Sequence, residues 1–241
     1  MAKIHMLLQG KGGVGKSFIA STIAQYKRSL GQTPLCIDTD PVNATFTGFK
    51  ALKVRRIELM SNEEINPRNF DALVELIAAS EHDVVIDNGA SSFVQLAHYL
   101  VTNQVPQLLH SMGHELIIHS VITGGQAFDD TLHNLVQIAP QFPVEATFVV
   151  WLNPYWGPIE HKGKSFEMLS EYERIKDRIA AIVSIPVLKA ETYGRDLSEI
   201  LQMRLTFDEA LEKSATGIMT RQRLSIIRSQ LYGQMAHARV I

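Results

Sequence analysis

The sequence predicts an α/β fold in which a single doubly wound, mostly parallel sheet carries helices on both faces. Short apolar runs alternate with helical patterns along the whole chain, and this alternation is typical of such sheets. A glycine-rich stretch separates the first apolar run from the first helical pattern. Hydrophobic residues make up 46% of the 241 residues, which is enough for one large core. We therefore expect one domain over residues 1–241, with a basic C-terminal helix at about 217–241.

Composition argues against several classes of protein. The net charge is −2, so no global basic field would draw the chain to nucleic acid or to anionic lipid. The single cysteine, Cys36, rules out internal disulfides and argues against an iron–sulfur cluster held by two cysteines from each subunit of a symmetric dimer. No apolar run is long enough to span a membrane, and no signal peptide precedes the first strand. We expect a cytoplasmic protein.

Residues 10–17 read G-K-G-G-V-G-K-S and match the phosphate-binding loop G-x-x-x-x-G-K-[ST]. A polyphosphate must come close to backbone N–H groups, so glycine is favoured wherever a side chain would block that approach. Lys16 would supply a positive charge to the β- and γ-phosphates, and the Ser17 hydroxyl would bind Mg²⁺. The other expected nucleotide contacts are Gly10, Lys11, Gly12, Gly13, Val14, Gly15 and Phe18.

The loop contains a second lysine, Lys11, which a general phosphate-binding loop does not require. With it, the chain resembles the deviant Walker A family, K-G-G-x-G-K-[ST], which includes the ParA and MinD partitioning ATPases. The resemblance implies that the cofactors are ATP or ADP with Mg²⁺. It also implies an ATP-bound homodimer, in which Lys11 reaches the partner's phosphates and acts with Lys16 in catalysis. The alternative is a solvent-facing lysine in a glycine turn.

The second predicted strand, residues 34–38, ends in a segment with two aspartates. Asp38 and Asp40 lie at the strand end where open α/β sheets bind their ligands. The family resemblance implies that Asp40 orients the attacking water, and that Asp38 pairs with the loop lysines or the magnesium shell. The segment is one residue shorter than the family's D-P-x-x-N-A-T pattern, which puts the hydrolysis rate in doubt. The alternative is an ordinary Asp-Pro turn.

A third aspartate, Asp87, ends the predicted strand at residues 82–87. Three β-branched residues followed by Asp87 are typical of a Walker B strand, whose carboxylate would bind Mg²⁺ beside Ser17. Gly89 comes next in the second switch segment, where its N–H could contact the γ-phosphate. Ser91 or Ser92 is expected to cap a helix that runs to about Asn103.

Two later segments are assigned to the base. We expect strands at residues 144–153 and 182–188. The resemblance implies that Asn153 bonds the adenine ring and that Pro186, in the last loop, completes the base pocket. An amide with a donor beside an acceptor suits the edge of adenine. Tyr155 and Trp156 either flank the base or close the loop over the core.

The remaining elements are assigned from periodicity. Residues 52–59 alternate as an edge strand would, and residues 116–122 form a buried strand in which His119 is expected to be a core residue. The other histidines lack metal-site spacing. The expected helices are at residues 67–80, from about 125 to 139, at 165–179, and as short pieces near 197–201 and 207–213.

The C-terminal stretch, residues 217–241, contains four arginines and no acidic residue. Its apolar residues Leu224, Ile227, Leu231 and Met235 fall on one helical stripe. Three interpretations remain open: a helix docked on the sheet, a membrane-surface helix that would place the protein peripherally at the inner membrane, or a basic patch for DNA or a protein partner.

The family resemblance implies a nucleotide switch with slow Mg-dependent ATPase activity, and it predicts that the strands holding Met6 and Ile86 are neighbours. Residues 1–30, 87–93 and 153–157 also resemble proteins of conjugative plasmid transfer regions. This implies a role in plasmid transfer or maintenance through partners in the conjugation or partition machinery. The alternatives are a metabolic ATP-dependent ligase of the dethiobiotin-synthetase type and a nucleotide-binding module without hydrolysis.

Overall fold

The computed structural model describes residues 1–61, 64–65 and 67–241, and side chains outside residues 60–67. Its centre is a seven-stranded sheet in the order β11-β8-β7-β1-β6-β2-β3, and every neighbouring pair in it is parallel. The strands of the described chain are β1 (Lys3–Leu7), β2 (Leu35–Asp38), β3 (Arg55–Arg56), β4 (Met60–Ser61), β5 (Glu64–Ile65), β6 (Val84–Asp87), β7 (Glu115–Thr123), β8 (Ala146–Asn153), β9 (Glu160–His161), β10 (Lys164–Ser165) and β11 (Ile179–Ser184). The pairs β4–β5 and β9–β10 are small antiparallel hairpins beside the main sheet.

The predicted neighbourhood of β1 and β6 is confirmed, because Met6 lies opposite Ile86 in a parallel ladder. The expected edge strand within residues 52–59 is present as the two residues of β3, which pair with β2 at the end of the sheet. Part of the poorly patterned stretch 47–66 lies outside the described residues.

Helices cover both faces of the sheet, as predicted. They are α1 (Lys16–Ser29), α2 (Pro67–Ala78), α3 (Phe93–Thr102), α4 (Val105–Ser111), α5 (Phe128–Ile138), α6 (Ser170–Ile175), α7 (Arg195–Gln202), α8 (Phe207–Glu212) and α9 (Ile218–Ala238). Side chains alternate along each strand, so Met6 belongs to the core on one face and Leu7 to the core on the other. Helices α2 to α6 pack on the first face, and α1 with α7 to α9 pack on the second.

The C-terminal helix is docked on the sheet, as in the first of the three interpretations. Its stripe, Leu224, Ile227, Leu231 and Met235, is fully buried in the second core. A membrane-surface helix would need this stripe exposed, so that interpretation is not supported. None of the described helices is both long and apolar enough to cross a membrane.

Two predicted elements were wrong in their extent. Residues 165–179 do not form one helix, because Leu169 has an extended backbone (ψ 145°) that separates a short 3₁₀ turn from α6. The last strand is β11, which ends at Ser184 instead of continuing to residue 188. Pro186 explains this end, because proline has no N–H for a ladder and restricts the residue before it. Helix α4 was not predicted.

The expectation that His119 is a core residue is confirmed, and His119 forms part of a buried chain of rings. The Trp151 indole N–H donates to His119 Nδ1 at 2.9 Å, and His119 Nε2 lies 3.0 Å from His5 Nδ1. Since Nδ1 of His119 accepts, its proton is on Nε2 and is donated to His5. Burial lowers the pKa of His119 to about 3, so the ring is neutral at physiological pH.

Candidate functional site

The glycine-rich loop connects the end of β1 to the start of α1 and presents an open backbone. Gly13 and Gly15 have φ angles of 72° and 99°, in the left-handed region that favours glycine. A Cβ added to Gly12 or Gly13 would have no atom within 4 Å, so this part of the loop faces open space. The first residue of α1 is Lys16, and the helix N-terminus therefore points at the same space. This geometry suits a bound anion.

Lys16 lies folded over the loop that precedes it. Its side chain is buried, and its Nζ donates a hydrogen bond to the Lys11 carbonyl oxygen at 2.9 Å. Burial lowers the pKa of Lys16, while the charges of Asp87 and Asp40 oppose that shift. A buried cation with a single carbonyl partner is well prepared to bind an anionic ligand.

Asp87 ends β6 beside the loop and has no hydrogen-bond partner. Both of its carboxylate oxygens are buried, and neither accepts a hydrogen bond of normal geometry, although the Ser17 hydroxyl lies nearby. Burial raises the pKa of Asp87 to about 7; the nearby Ser17 hydroxyl and the Lys16 charge oppose this rise, and the charges of Asp38 and Asp40 add to it. An unpaired buried carboxylate next to a hydroxyl is the donor set that Mg²⁺ takes in phosphate-binding sites. The residues present therefore fit the predicted metal.

Asp38 is equally buried but fully engaged. Its Oδ1 accepts from the Asp40 N–H at 3.0 Å, and its Oδ2 accepts from the Thr47 N–H and hydroxyl at 2.8 and 3.0 Å. These three bonds hold the segment after β2 against the sheet. Asp87 is therefore the better placed of the two carboxylates for a metal.

Asp40 lies where the two predicted switch segments meet. Its Oδ1 accepts from the N–H groups of Val42 and Asn43, both at 2.9 Å. A Cβ added to Gly89 would lie 2.8 Å from the Asp40 Cγ, so the glycine leaves room for this carboxylate. The sequence placed Asp40 and Gly89 in separate segments, and the structure brings them into contact.

A cleft of about 560 Å³ opens beside the phosphate-binding loop. The loop, the start of α1 and both switch segments line it, through Gly12, Gly13, Gly15, Lys16, Ser17, Phe18, Asp40, Val42, Asn43, Thr45, Ala90 and Ser91. Phe49, Leu201 and Arg204 complete the lining. These last three were missed by sequence reasoning, because no motif connects residues so far apart in the chain.

Asn153 and Pro186, the two residues expected to contact the base, do not line the cleft. Asn153 Nδ2 donates to the Val14 carbonyl oxygen at 2.9 Å, and its Oδ1 accepts from the Tyr155 N–H at 3.2 Å. Both ends of the amide therefore hold the protein's own loops. The contacts of Asn153 and Pro186 with adenine remain predictions.

Tyr155 and Trp156 do not close over the core, because 74% and 59% of their surfaces are exposed. The two rings pack edge to face, and the Trp156 indole N–H points to the Gly13 carbonyl oxygen at 3.4 Å. The aromatic pair thus stands at the rim of the phosphate-binding loop. Their exposure does not support closure of the loop over the core. That the rings flank a base stays a prediction, since neither of them lines the cleft.

Lys11 makes an ion pair within its own chain. Its Nζ lies 2.7 Å from Asp130 Oδ2, in the first turn of α5, and both side chains are substantially exposed. This contact lowers the pKa of Asp130. A surface pair of this kind contributes little to stability, so Lys11 can leave it at small cost.

Comparison with known proteins places the chain among relatives. Residues 5–200 match the family model CbiA, described as the CobQ/CobB/MinD/ParA nucleotide binding domain. The chain is 66% identical over 241 residues to Protein TraL of Escherichia coli, covering 100% of both chains, and equally identical to a second protein of that name.

Solved structures show the same fold. The MinD cell division protein of Aquifex aeolicus aligns with a TM-score of 0.51 and 15% identity, over 96% of this chain and 97% of that one. A chain of the MinC:MinD complex from the same organism aligns with a TM-score of 0.50 and 14% identity, over 96% of each. The family expected from the loop is confirmed by the matched residues. The chain belongs to the CobQ/CobB/MinD/ParA family of nucleotide-binding domains.

Proposed function

We propose that this protein is an ATP-binding switch with slow, Mg-dependent ATPase activity. The observation that carries the proposal is the unpaired, buried carboxylate of Asp87 beside Ser17, which lines the cleft at the phosphate-binding loop. A buried carboxylate without partners is costly unless a ligand compensates it. Mg²⁺ bound to a nucleotide would supply that compensation.

Each side chain of the site has a role in this proposal. The loop N–H groups and Lys16 bind the phosphates, and Lys16 offsets the negative charge that develops as the γ-phosphoryl group leaves. Ser17 and Asp87 would hold Mg²⁺, which neutralises phosphate charge when bound. Asp40 would orient the attacking water. Both of its present hydrogen bonds go to Oδ1, so Oδ2 is the oxygen assigned to the water.

ATP binding would also change the switch segments. Asp40 and Gly89 touch, so a γ-phosphate contacting Gly89 would be sensed on the Asp40 segment as well. In the proposed homodimer Lys11 leaves Asp130 and reaches the partner's nucleotide. Protein partners would then distinguish the ATP and ADP states.

The proposed cellular role is in conjugative plasmid transfer or maintenance, in the cytoplasm. It is supported by the full-length identity of 66% to Protein TraL. A partner in the conjugation or partition machinery would bind one nucleotide state. A contact between the C-terminal helix and DNA is less well supported, because Arg223 and Arg228 are already paired with Asp196 and Asp208.

Turnover by purified variants tests the activity. We expect phosphate release by the wild type, and a loss of at least a hundredfold in Lys16→Ala and in Asp40→Ala. Arg195→Gln is the matched control, since Arg195 lies on the surface and pairs with Glu199. Wild-type turnover in Lys16→Ala would end the ATPase proposal.

Dimerisation is tested separately, by light scattering after size exclusion with a non-hydrolysable ATP analogue. We expect a doubled mass with the analogue and a monomer with ADP. Lys11→Ala should stay monomeric. A wild-type mass that is unchanged by the analogue over a wide concentration range would contradict the dimer.

A non-hydrolysing nucleotide-binding module is the second candidate. The observation that favours it is the shortened segment in which Asp40 caps its own turn through Val42 and Asn43. Saturable ATP binding without phosphate release, also in the presence of a cell extract that contains the partners, would favour this candidate over the ATPase.

A further inference from the structure

Arg204 is a half-buried cation that lines the cleft without a carboxylate partner. It comes shortly after α7, and its Nη1 donates to the Leu201 carbonyl oxygen at 3.1 Å. Within the described part of the chain, no acidic side chain lies within ion-pair distance of it. A guanidinium has five N–H donors, so most of its hydrogen-bonding capacity remains for a ligand.

The neighbouring arginines behave differently. The side chains of Arg195, Arg223 and Arg228 each pair with a carboxylate, at 2.9, 2.5 and 2.6 Å respectively. Arg204 differs from these three arginines, as Arg221 does, because no carboxylate pairs with it in the described part of the chain. A partly desolvated cation without a counter-ion favours an anion in the space that it faces.

The stem of Arg204 is positioned by the loop that comes after Asp40. A Cβ added to Gly48 would lie 2.9 Å from the Arg204 Cγ and 3.0 Å from its Cδ. The φ angle of Gly48 is outside the left-handed region, so the glycine is needed here for space and not for a turn. The absence of a side chain at Gly48 therefore lets Arg204 lie across this loop and into the cleft wall.

We propose that Arg204 is a nucleotide-binding residue whose guanidinium binds the α-phosphate. This inference rests on the proposed function. Lys16, Ser17 and Asp87 serve the β- and γ-phosphates and the metal. Arg204 lines the same cleft and donates to the Leu201 carbonyl oxygen. The phosphate to which none of those groups is assigned is the α-phosphate, and a guanidinium fork suits its two free oxygens.

The test is calorimetric titration of ADP and of ATP into Arg204→Gln. We expect both affinities to fall by about tenfold and by the same factor, because the α-phosphate is common to both nucleotides. Arg195→Gln on α7 is the matched control and should bind as the wild type does. Arg204→Lys, which keeps the charge but loses the fork, should recover part of the loss. Thermal unfolding of each variant confirms that it is folded.

A second variant, Gly48→Ala, keeps the arginine but crowds its stem. We expect a severalfold loss of affinity for both nucleotides. If the wild type binds both nucleotides and Arg204→Gln binds them equally well, this inference is overturned and the proposed function stays intact. A loss for ATP alone would overturn the assignment to the α-phosphate. A wild type that binds neither nucleotide would overturn the proposed function itself.

Discussion

Asp38 and Asp87 are the same residue type at the same place in two neighbouring strands, yet their surroundings are opposite. They lie directly across from each other at the ends of β2 and β6, and both are buried. Asp38 accepts three hydrogen bonds from its own loop, whereas Asp87 accepts none. The first carboxylate holds its own loop in place, and the second is the one that we propose binds the metal.

The difference arises from the path that the chain takes after each strand. After β2 the chain turns back so that Thr47 reaches Asp38 with two donors. After β6 the chain leaves towards Gly89 and α3, and the space beside Asp87 is occupied by Ser17 and Lys16. Position at a strand end therefore does not separate these two aspartates, whereas their hydrogen bonds do.

The largest expected effect concerns the pH dependence of stability. Burial raises the pKa of Asp87 to about 7, so the folded state holds a proton that the unfolded chain releases near pH 4. Stability contributed by Asp87 is therefore present at low pH and lost as pH rises from about 4 to about 7. Without nucleotide or Mg²⁺, the unfolding free energy of Asp87→Asn should therefore rise relative to that of the wild type, by up to about 4 kcal/mol between pH 4 and pH 7.

Denaturant unfolding of both proteins at several pH values measures this difference. Comparing the two removes the contributions of other groups, including His119, whose lowered pKa weakens the fold as pH falls below about 6.5. A difference in unfolding free energy that does not change between pH 4 and pH 7 would contradict the unpaired state of Asp87.

The second effect is the cost of removing the engaged carboxylate. Asp38→Ala leaves the N–H groups of Asp40 and Thr47 without their acceptor and should lose about 3 kcal/mol of unfolding free energy. The measurement is chemical denaturation of the nucleotide-free protein at pH 8. Equal stability of Asp38→Ala and Asp87→Ala would remove the distinction drawn between the two residues.

A third prediction concerns the metal. We expect Mg²⁺ to raise the affinity of the wild type for ATP. In Asp87→Asn this increase should be smaller by a factor of about ten, or about 1.4 kcal/mol of binding free energy. Titrations of ATP with Mg²⁺ and with a chelator give the comparison. An Asp87→Asn variant that keeps the full magnesium effect would show that the metal is held elsewhere.

The smallest effect is the loss of one hydrogen bond to Asp38. Thr47→Val keeps the backbone N–H but removes the hydroxyl that donates to Asp38 Oδ2 at 3.0 Å, so we expect a loss of about 1 kcal/mol. The change in nucleotide-binding free energy should be smaller than the change in unfolding free energy. A variant as stable as the wild type would indicate that the hydroxyl bond contributes nothing measurable beyond the bond from the Thr47 N–H.

The sequence was sufficient for the fold and for the phosphate-binding end of the site. Apolar runs and glycine spacing are local features, so β1, the loop and α1 could be read directly, and the neighbourhood of Met6 and Ile86 was implied by the family. Local patterns failed where backbone detail decided the outcome. The extended residue Leu169 breaks a periodic stretch, and Pro186 ends a strand early.

The far end of the cleft could not be predicted, because it is made by tertiary contacts. Arg204 lies next to Gly48 because the C-terminal third of the chain docks on the sheet. No sequence motif predicts that contact. Similarly, the pairing of Lys11 with Asp130 joins residues 119 positions apart. A motif therefore predicts the residues of the loop, whereas the other lining residues of the cleft depend on which elements pack beside that loop.

Calorimetric titration of ATP with Mg²⁺ into the full chain tests the central claim most directly. We predict saturable binding with one nucleotide per chain, and a loss of at least a hundredfold in affinity for folded Lys16→Ala. Failure of the wild type to bind ATP or ADP, with or without Mg²⁺, would contradict the account, as would wild-type affinity in the Lys16→Ala variant.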